Sequence, residues 1–465
     1  MRNARDRLWA SPEEGGSGRI RRAIGLVRIL LLAVVFGCGA VAHADDRRAA
    51  IESETVASGP VAVPEPTPEA LRFHRGNNVI WAFNRAWALL LTGGLAFSGV
   101  SARVRNLAAR LAEFTERIRI PWGRREAGTG PTRASWFLTV GIYVVLYLAI
   151  VFAIDLPLHY YEGFVRLHAY GLSNQTLGKW LHDVVTRLGV SMVVGLALAW
   201  VPFALMAWSP KRWWLCLGLL SVPFLFATML VEPVWIDPLF NRFGPMKDRD
   251  LERQILELAA RAGIDGSHVF EVEKSVDTKA MNAYVTGFLG TKRIVLWDTL
   301  LAKLDPPEVL AVMGHEMGHY VLGHVVRSIL LGSLVILAGL YFVDRAGRSL
   351  IARFPARLGF NRLADVASVP LILMLMNLSS LFLGPVVLAY SRYQEHEADQ
   401  FALDLTRANR PAASAFVKFQ AENLGVPRPD LFYRIFRASH PSLGERIDFC
   451  NTYRPQPIDP IVPAR

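Results

Sequence analysis

VASVPLILMLMNLSSLFLGPVVLAY, residues 366–390, runs for 25 residues without a charge, and Ser391-Arg392-Tyr393-Gln394-Glu395-His396-Glu397-Ala398-Asp399-Gln400-Phe401-Ala402 follows directly. A bilayer core of about 30 Å takes about 20 helical residues. Five further apolar runs precede this one: Val79–Val100 (broken only by Arg85), Phe137–Ile154, Leu188–Trp208, Trp213–Val231 and Ser328–Val343. None alternates with the period of two that a barrel strand needs. One such run could be a buried core helix, but six in one chain read as a multi-pass α-helical membrane bundle, in a mainly α protein. Composition agrees, with 52% hydrophobic and only 20% charged residues among 465, where soluble domains carry about 25%. A mean hydropathy of +0.27 excludes disorder. The +11 charge does not indicate nucleic acid, because the Arg residues cluster beside apolar runs. Cys38, Cys216 and Cys450 are too few for a disulfide framework.

At the N-terminus Arg19, Arg21, Arg22 and Arg28 precede the uncharged stretch Ile29–Ala42, and Ala42-His43-Ala44 fits a cleavage site. Residues 1–44 therefore read as a signal peptide or an uncleaved signal anchor. The polar, proline-bearing residues 45–78 read as an irregular extracytoplasmic linker. Residues 79–235 form an N-terminal membrane domain of four spans. Residues 236–465 form a second domain that includes two spans, at about 325–343 and 366–390. Residues 101–135 hold eight Arg against three Glu, 209–212 hold Lys211 and Arg212, and 344–365 hold five Arg against two Asp. With each run spanning once, these loops share a side, and short basic loops stay cytoplasmic. The segment 232–322, with ten positive and fourteen negative residues, and the C-terminus then face the extracytoplasmic space of an inner (plasma) membrane.

Between the fourth and fifth runs the chain reads as mixed α/β. Leu251, Ile255, Leu258 and Ala262 have helical spacing, whereas Val269–Val272 and Arg293–Trp297 look like strands. Asp305-Pro306-Pro307-Glu308 is a helix start: an N-cap, prolines in the first turn and an early acid. That helix carries His315-Glu316-Met317-Gly318-His319. Residues four apart share a face, so His315 and His319 can hold one zinc ion per chain. Glu316, beside them, can take a proton from water and pass it to a leaving amine. Catalytic zinc takes a third protein ligand. Glu395 and Asp399 are four apart and offer one ligand and one supporting carboxylate, or else the solvated acids of a charged helix start. His396 points about 100° away from Glu395, and Glu397, displaced by about 200°, should face water.

These blocks resemble the type I CAAX prenyl endopeptidases, which are multi-pass membrane zinc metalloproteases of the gluzincin group. The likeness extends from His315–His319 and the following Tyr320–His324 to Ser391–Ala402, Asn282–Phe288, Lys292–Leu301, Tyr170–Thr176, Asp237–Asn241 and Ser439–Arg446. It runs through residues 160–450 in the family's order, with His396 where the family has Phe. The resemblance implies that Glu395 is the third ligand and that Asp399 is a catalytic acid. It also implies that Asn282 contacts substrate beside an edge strand, and that His440 and Arg446 lie near the scissile carbonyl. His324, nine residues after His315, falls on the opposite helix face and reads as structural or supporting. The expected activity is zinc-dependent hydrolysis of membrane-associated or CAAX-like protein substrates, the peptide pairing with the strand near 293–297. A transporter- or channel-like protein with a structural zinc site, its path marked by Arg85 and Arg327, is the alternative. It leaves the Glu inside His-Glu-x-x-His without a purpose.

Overall fold

The computed structural model describes residues 59–119, 133–264, 268–286 and 292–457. The signal segment and residues 45–58 lie outside them. Six helical stretches are long and apolar enough to cross a membrane: Pro68–Phe97, Ser135–Ala169, Leu177–Trp208, Trp213–Leu239, His324–Arg353 and Val366–Thr406. Five of the six expected runs fall within them, Val79–Val100 runs three residues past Phe97, and the helices reach beyond the runs at one end or both, in the first of them through capping.

Helix α1 (Pro68–Phe97) shows why. Thr67 Oγ1 accepts from the Ala70 amide at 3.1 Å, Pro68 fills the first position and Glu69 sits in the first turn. Residues 68–78, expected as irregular linker, are therefore helical. The segment before them is held by the C-terminal part of the chain. Asn451 accepts from the Val61 amide and donates to the Val61 carbonyl, both at 2.9 Å, and Gln420 donates to the Pro64 carbonyl at 3.0 Å.

Part of the expected basic loop 101–135 is also helical. Helix α2 (Val100–Arg119) is amphipathic and leaves Leu107, Leu111 and Phe114 exposed, as a helix lying along a bilayer surface does. Helices α3 (Arg133–Tyr160), α4 (Leu177–Leu198), α5 (Trp200–Trp208) and α6 (Trp213–Val231) follow. Tyr143, Trp213 and Leu371 are among the buried residues of the membrane core. Polar groups are paired within it: Ser101 with Tyr143 Oη at 2.6 Å, and Trp213 Nε1 donating to Asp344 at 2.8 Å. The basic segments meet one another. Arg105 binds Asp365, and Arg348 donates to the Pro210 carbonyl.

Beyond α6 lies a four-stranded sheet of order β1-β2-β4-β3, with β1 Phe243–Pro245, β2 His268–Val272, β3 Ala283–Thr286 and β4 Arg293–Trp297. β4 pairs parallel with β2 and antiparallel with β3. Both sides of β4 are therefore taken, and it cannot receive a substrate strand as expected. The edge strands are β1 and β3, and β3 is the one beside β4. Helix α7 (Arg249–Arg261) and helix α8 (Pro306–Val321) pack on the sheet through Ile255, Ile294, Leu296, Met313 and Met317. Asp305 and Glu308 cap α8 reciprocally.

Helix α9 (His324–Arg353) returns to the membrane, and α10 (Val369–Thr406) is one helix of 38 residues. The last apolar run and the acid-bearing block after it are thus continuous. Helices α8 and α10 cross closely at Gly314 and Gly318. A Cβ on Gly318 would stand 3.2 Å from Ala398 Cα and 3.3 Å from its carbonyl oxygen, and one on Gly314 would stand 3.4 Å from Ala402 Cα and 2.9 Å from Thr406 Cγ2. Gly318→Val should therefore cost about 1–3 kcal/mol through overpacking against backbone. It should lower the melting temperature in detergent and reduce bound metal together. Wild-type values of both would show that the crossing tolerates a side chain.

Candidate metal centre

The crossing sets His315 and His319, one turn apart on α8, against Glu395 on α10. Their Nε2 atoms lie 3.1 Å apart. Each is 3.3 Å from a Glu395 oxygen, His315 from Oε2 and His319 from Oε1. The ligating atoms of the three all fall within 4.8 Å of one another. Glu395 Oε2 is buried and has no hydrogen-bond partner. Two imidazole nitrogens facing each other beside an unsatisfied carboxylate fit a divalent cation.

Each imidazole is oriented from behind. His315 Nδ1–H donates to Asp399 Oδ1 at 2.8 Å, since a carboxylate can only accept. Asp399 also accepts two bonds from Arg446, from Nε at 2.9 Å and from Nη2 at 2.5 Å. The Arg446 guanidinium lies over the Phe416 ring at 4.1 Å. Burial and the Arg446 charge oppose protonation of His315, but its bonds to Asp399 and Glu395 outweigh them and raise its pKa to about 9. A cation at Nε2 displaces that proton. Burial also pushes the Glu316 carboxyl up, although His315 and His319 pull the other way.

His319 is backed by His324, which the sequence suggested as structural or supporting but placed on the opposite helix face. Helix α8 ends at Val321, and Gly323 turns the chain with φ +67°, a conformation that favours glycine. His324 therefore opens α9 behind His319 instead of continuing α8 to the opposite face. The two Nδ1 atoms are 2.9 Å apart. With His319 Nε2 turned to the metal site, its Nδ1–H donates to His324 Nδ1, and His324 Nε2 is left 3.3 Å from Glu397 Oε2. Glu397 does not face water as expected, because the returning α9 covers it. It accepts from Arg327 at 3.0 Å and from Tyr393 Oη at 3.1 Å. Arg327 is thus paired, and Arg85 lies over the Trp81 ring at 5.3 Å. His396 turns away and packs on Phe449.

His440 Nε2 is 3.3 Å from Glu395 Oε1, with Ser439 on its Nδ1 at 2.8 Å. Asn282 sits immediately before β3 with its side chain exposed, and its carbonyl accepts from the Trp297 amide at 3.1 Å. A cavity of about 470 Å³ joins His315, Glu316, Asp399, Arg446, His440 and Asn282. The structure thus brings six of the expected site residues to one cavity, with His319 and Glu395 next to His315 but outside its lining. Arg446 is committed to Asp399, beneath the centre.

The sequence pattern of peptidase family M48 matches residues 245–453, and that of the CAAX prenyl protease N-terminal region, five membrane helices, matches residues 77–242. An uncharacterized metalloprotease of Bacillus subtilis (strain 168), YhfN, is 41% identical over 309 residues, which are 66% of this chain and 72% of that protein. The chain belongs to peptidase family M48. The CAAX prenyl protease 1 homolog of Dictyostelium discoideum is 32% identical over 314 residues, 66% of this chain and 70% of its own. The crystal structure of S. mikatae Ste24p shares the fold, with a TM-score of 0.63 at 21% identity over 83% of this chain and 100% of that one. This M48 member is a multi-pass membrane metalloendopeptidase, and the family implies a metal.

The relay makes a measurable demand. His324→Ala should weaken metal binding by about 10–100-fold, as losing a partner behind a ligand does, with the fold retained. Titration of the purified metal-free protein checks it, and unchanged affinity would leave His324 with a packing part alone.

Proposed function

We propose that the protein is an integral-membrane zinc endopeptidase that cuts membrane-associated or CAAX-like protein substrates, with one zinc per chain held by His315, His319 and Glu395. The observation that carries this reading is the convergence of those three side chains, with His315 and Glu316 on the wall of a cavity. Zinc held there would supply a Lewis acid for the scissile carbonyl and would acidify water. Glu316 is placed to take a proton from water and to hand it to the leaving amine. Its desolvated carboxyl, with a raised pKa, suits both transfers. Asp399, held by Arg446, keeps His315 in the tautomer that leaves Nε2 free. His440 reaches over Glu395 from the cavity and donates to the carbonyl oxygen as charge builds there. Asn282 meets the substrate, which extends as a strand along the outer edge of β3.

Glu316→Gln should keep the metal and lower kcat by about 10²–10⁴-fold, the usual contribution of a general base. His315→Ala, His319→Ala and Glu395→Ala should each lose the metal. Elemental analysis with a peptide-cleavage assay checks both, and full zinc in Glu395→Ala would remove that ligand from the set.

On this reading the chain has a membrane domain, residues 79–235, whose first helix starts earlier at Pro68, and a metallopeptidase domain, residues 236–465, whose catalytic side belongs to the extracytoplasmic face. Segment 60–64 binds α11 (Asn409–Glu422) and α12 (Leu443–Thr452) through Gln420 and Asn451. The two ends of the six-span bundle therefore share a side. The basic segments gather around Arg105, Asp365, Arg348 and Pro210, on the side that short basic loops keep cytoplasmic. Alkaline phosphatase fused after Arg465 should be active and a green fluorescent fusion dark. The reverse pair would place the centre in the cytosol.

A further inference from the structure

The cavity beside the metal centre carries two arginines that the reaction above does not use. Arg392 lies on α10, three residues before Glu395, and donates to the Ala438 carbonyl at 2.7 Å. Arg437 donates to Asn78 at 2.6 Å and stacks over Tyr433. Both line the cavity. Arg166, behind them, is buried and donates to Asn77 at 2.7 Å and to the Phe73 carbonyl at 3.0 Å. None of the three has a carboxylate within ion-pair distance among the described residues; all of these partners are neutral. Burial and the Arg166 charge push the Arg437 pKa down from its usual value.

The nearby acids are spent elsewhere. Glu445 is paired with Arg434 at 2.9 Å, and Asp399 with Arg446. Asp430 accepts from His74 at 3.0 Å, from Asn78 at 3.2 Å and from the Tyr433 amide at 2.9 Å. A guanidinium has five donors, and Arg392 and Arg437 each spend one on the hydrogen bonds described. Gathering like charges in a desolvated wall is costly unless something negative completes it.

We propose that Arg392 and Arg437 form an anion subsite that takes a carboxylate of the peptide substrate close to the scissile bond. The inference rests on the reading that a peptide is cut in this cavity. Three helical residues rise by about 5 Å, and an extended peptide advances about 3.3 Å per residue, so the carboxylate falls within about two residues of the cut. Either an acidic side chain or the free end of the chain supplies that chemistry.

The test uses zinc-loaded full-length protein in detergent and matched fluorogenic peptides. One pair differs by Glu against Gln within two residues of the cut, and another by a free against an amidated carboxyl end. The carboxylate form of at least one pair should be cleaved with a kcat/KM about 10–100-fold higher, as for a hydrogen-bonded charge. The responding pair names the source. Arg392→Gln and Arg437→Gln should each collapse the ratio toward one while retaining one zinc per chain, which reports folding, and Arg437→Lys should restore part of it. Equal rates for both pairs in the wild type, or a ratio that survives both Gln variants, would overturn the subsite. If no peptide is cut at all, the endopeptidase reading fails, and the subsite falls with it.

Discussion

The close crossing of α8 over α10 is the constraint on which the centre depends. Helix α8 presents three stripes, each with a spacing of four. Met313 and Met317 face the sheet core, Gly314 and Gly318 face α10, and His315 and His319 face the metal site. Each stripe is turned about 100° from the one before it. The opposite ladder on α10 alternates Ala398 and Ala402, which receive the glycines, with Glu395 and Asp399, which meet the imidazoles. One backbone approach therefore sets helix packing and ligand spacing together. A side chain at either glycine would push the carboxylates away from the histidines as it pushed the backbones apart.

That approach gathers charges in a place poorly supplied with water. His315, Glu395, Asp399 and Arg446 are all buried, and such groups cost several kcal/mol each unless compensated. Arg446 offsets Asp399 through a two-point contact. Glu395 has only the far edge of the same guanidinium, Nη1 at 3.9 Å from Oε2, and that oxygen accepts no hydrogen bond. With neutral imidazoles, the three carboxylates Glu316, Glu395 and Asp399 exceed the one guanidinium by two charges. A divalent cation brings the cluster to neutrality, so metal binding and stability are linked here.

Features set by local physics are legible in the sequence. The six apolar runs, the cap at Asp305 and the spacing of His315 to His319 each depend on neighbours within a few turns. Structure and sequence pattern part where a distant element intervenes. Arg293–Trp297 looks like a strand, but whether it lies at an edge depends on β2 and β3, and the short Ala283–Thr286 has too little alternation to reveal a strand. Helical spacing puts His324 on the far face of α8 only if that helix continues, and Gly323 ends it. Glu397 would face water on an isolated helix, whereas α9 comes back to cover it. Composition makes residues 68–78 look like linker, yet Thr67-Pro68-Glu69 is itself a capping signal that starts a helix there.

Continuity of α10 ties the chemistry to the bilayer. Its first half packs in the membrane core through Leu371 and Leu375, and its second half carries Glu395 and Asp399 without a break. Helix α9 is anchored the same way, with Gly339 against Ser379 and Met376 of α10 and with His324 at its other end behind His319. Two of the elements that fix the metal geometry are therefore extensions of membrane helices, and only α8 belongs wholly to the part outside. Sites built on rigid helices hold their geometry better than sites on loops, but here the rigidity comes from helix packing within the bilayer. A fragment cut free of the spans would keep His315 and His319 on one face of α8 and would lose Glu395, Asp399 and the His324 relay together.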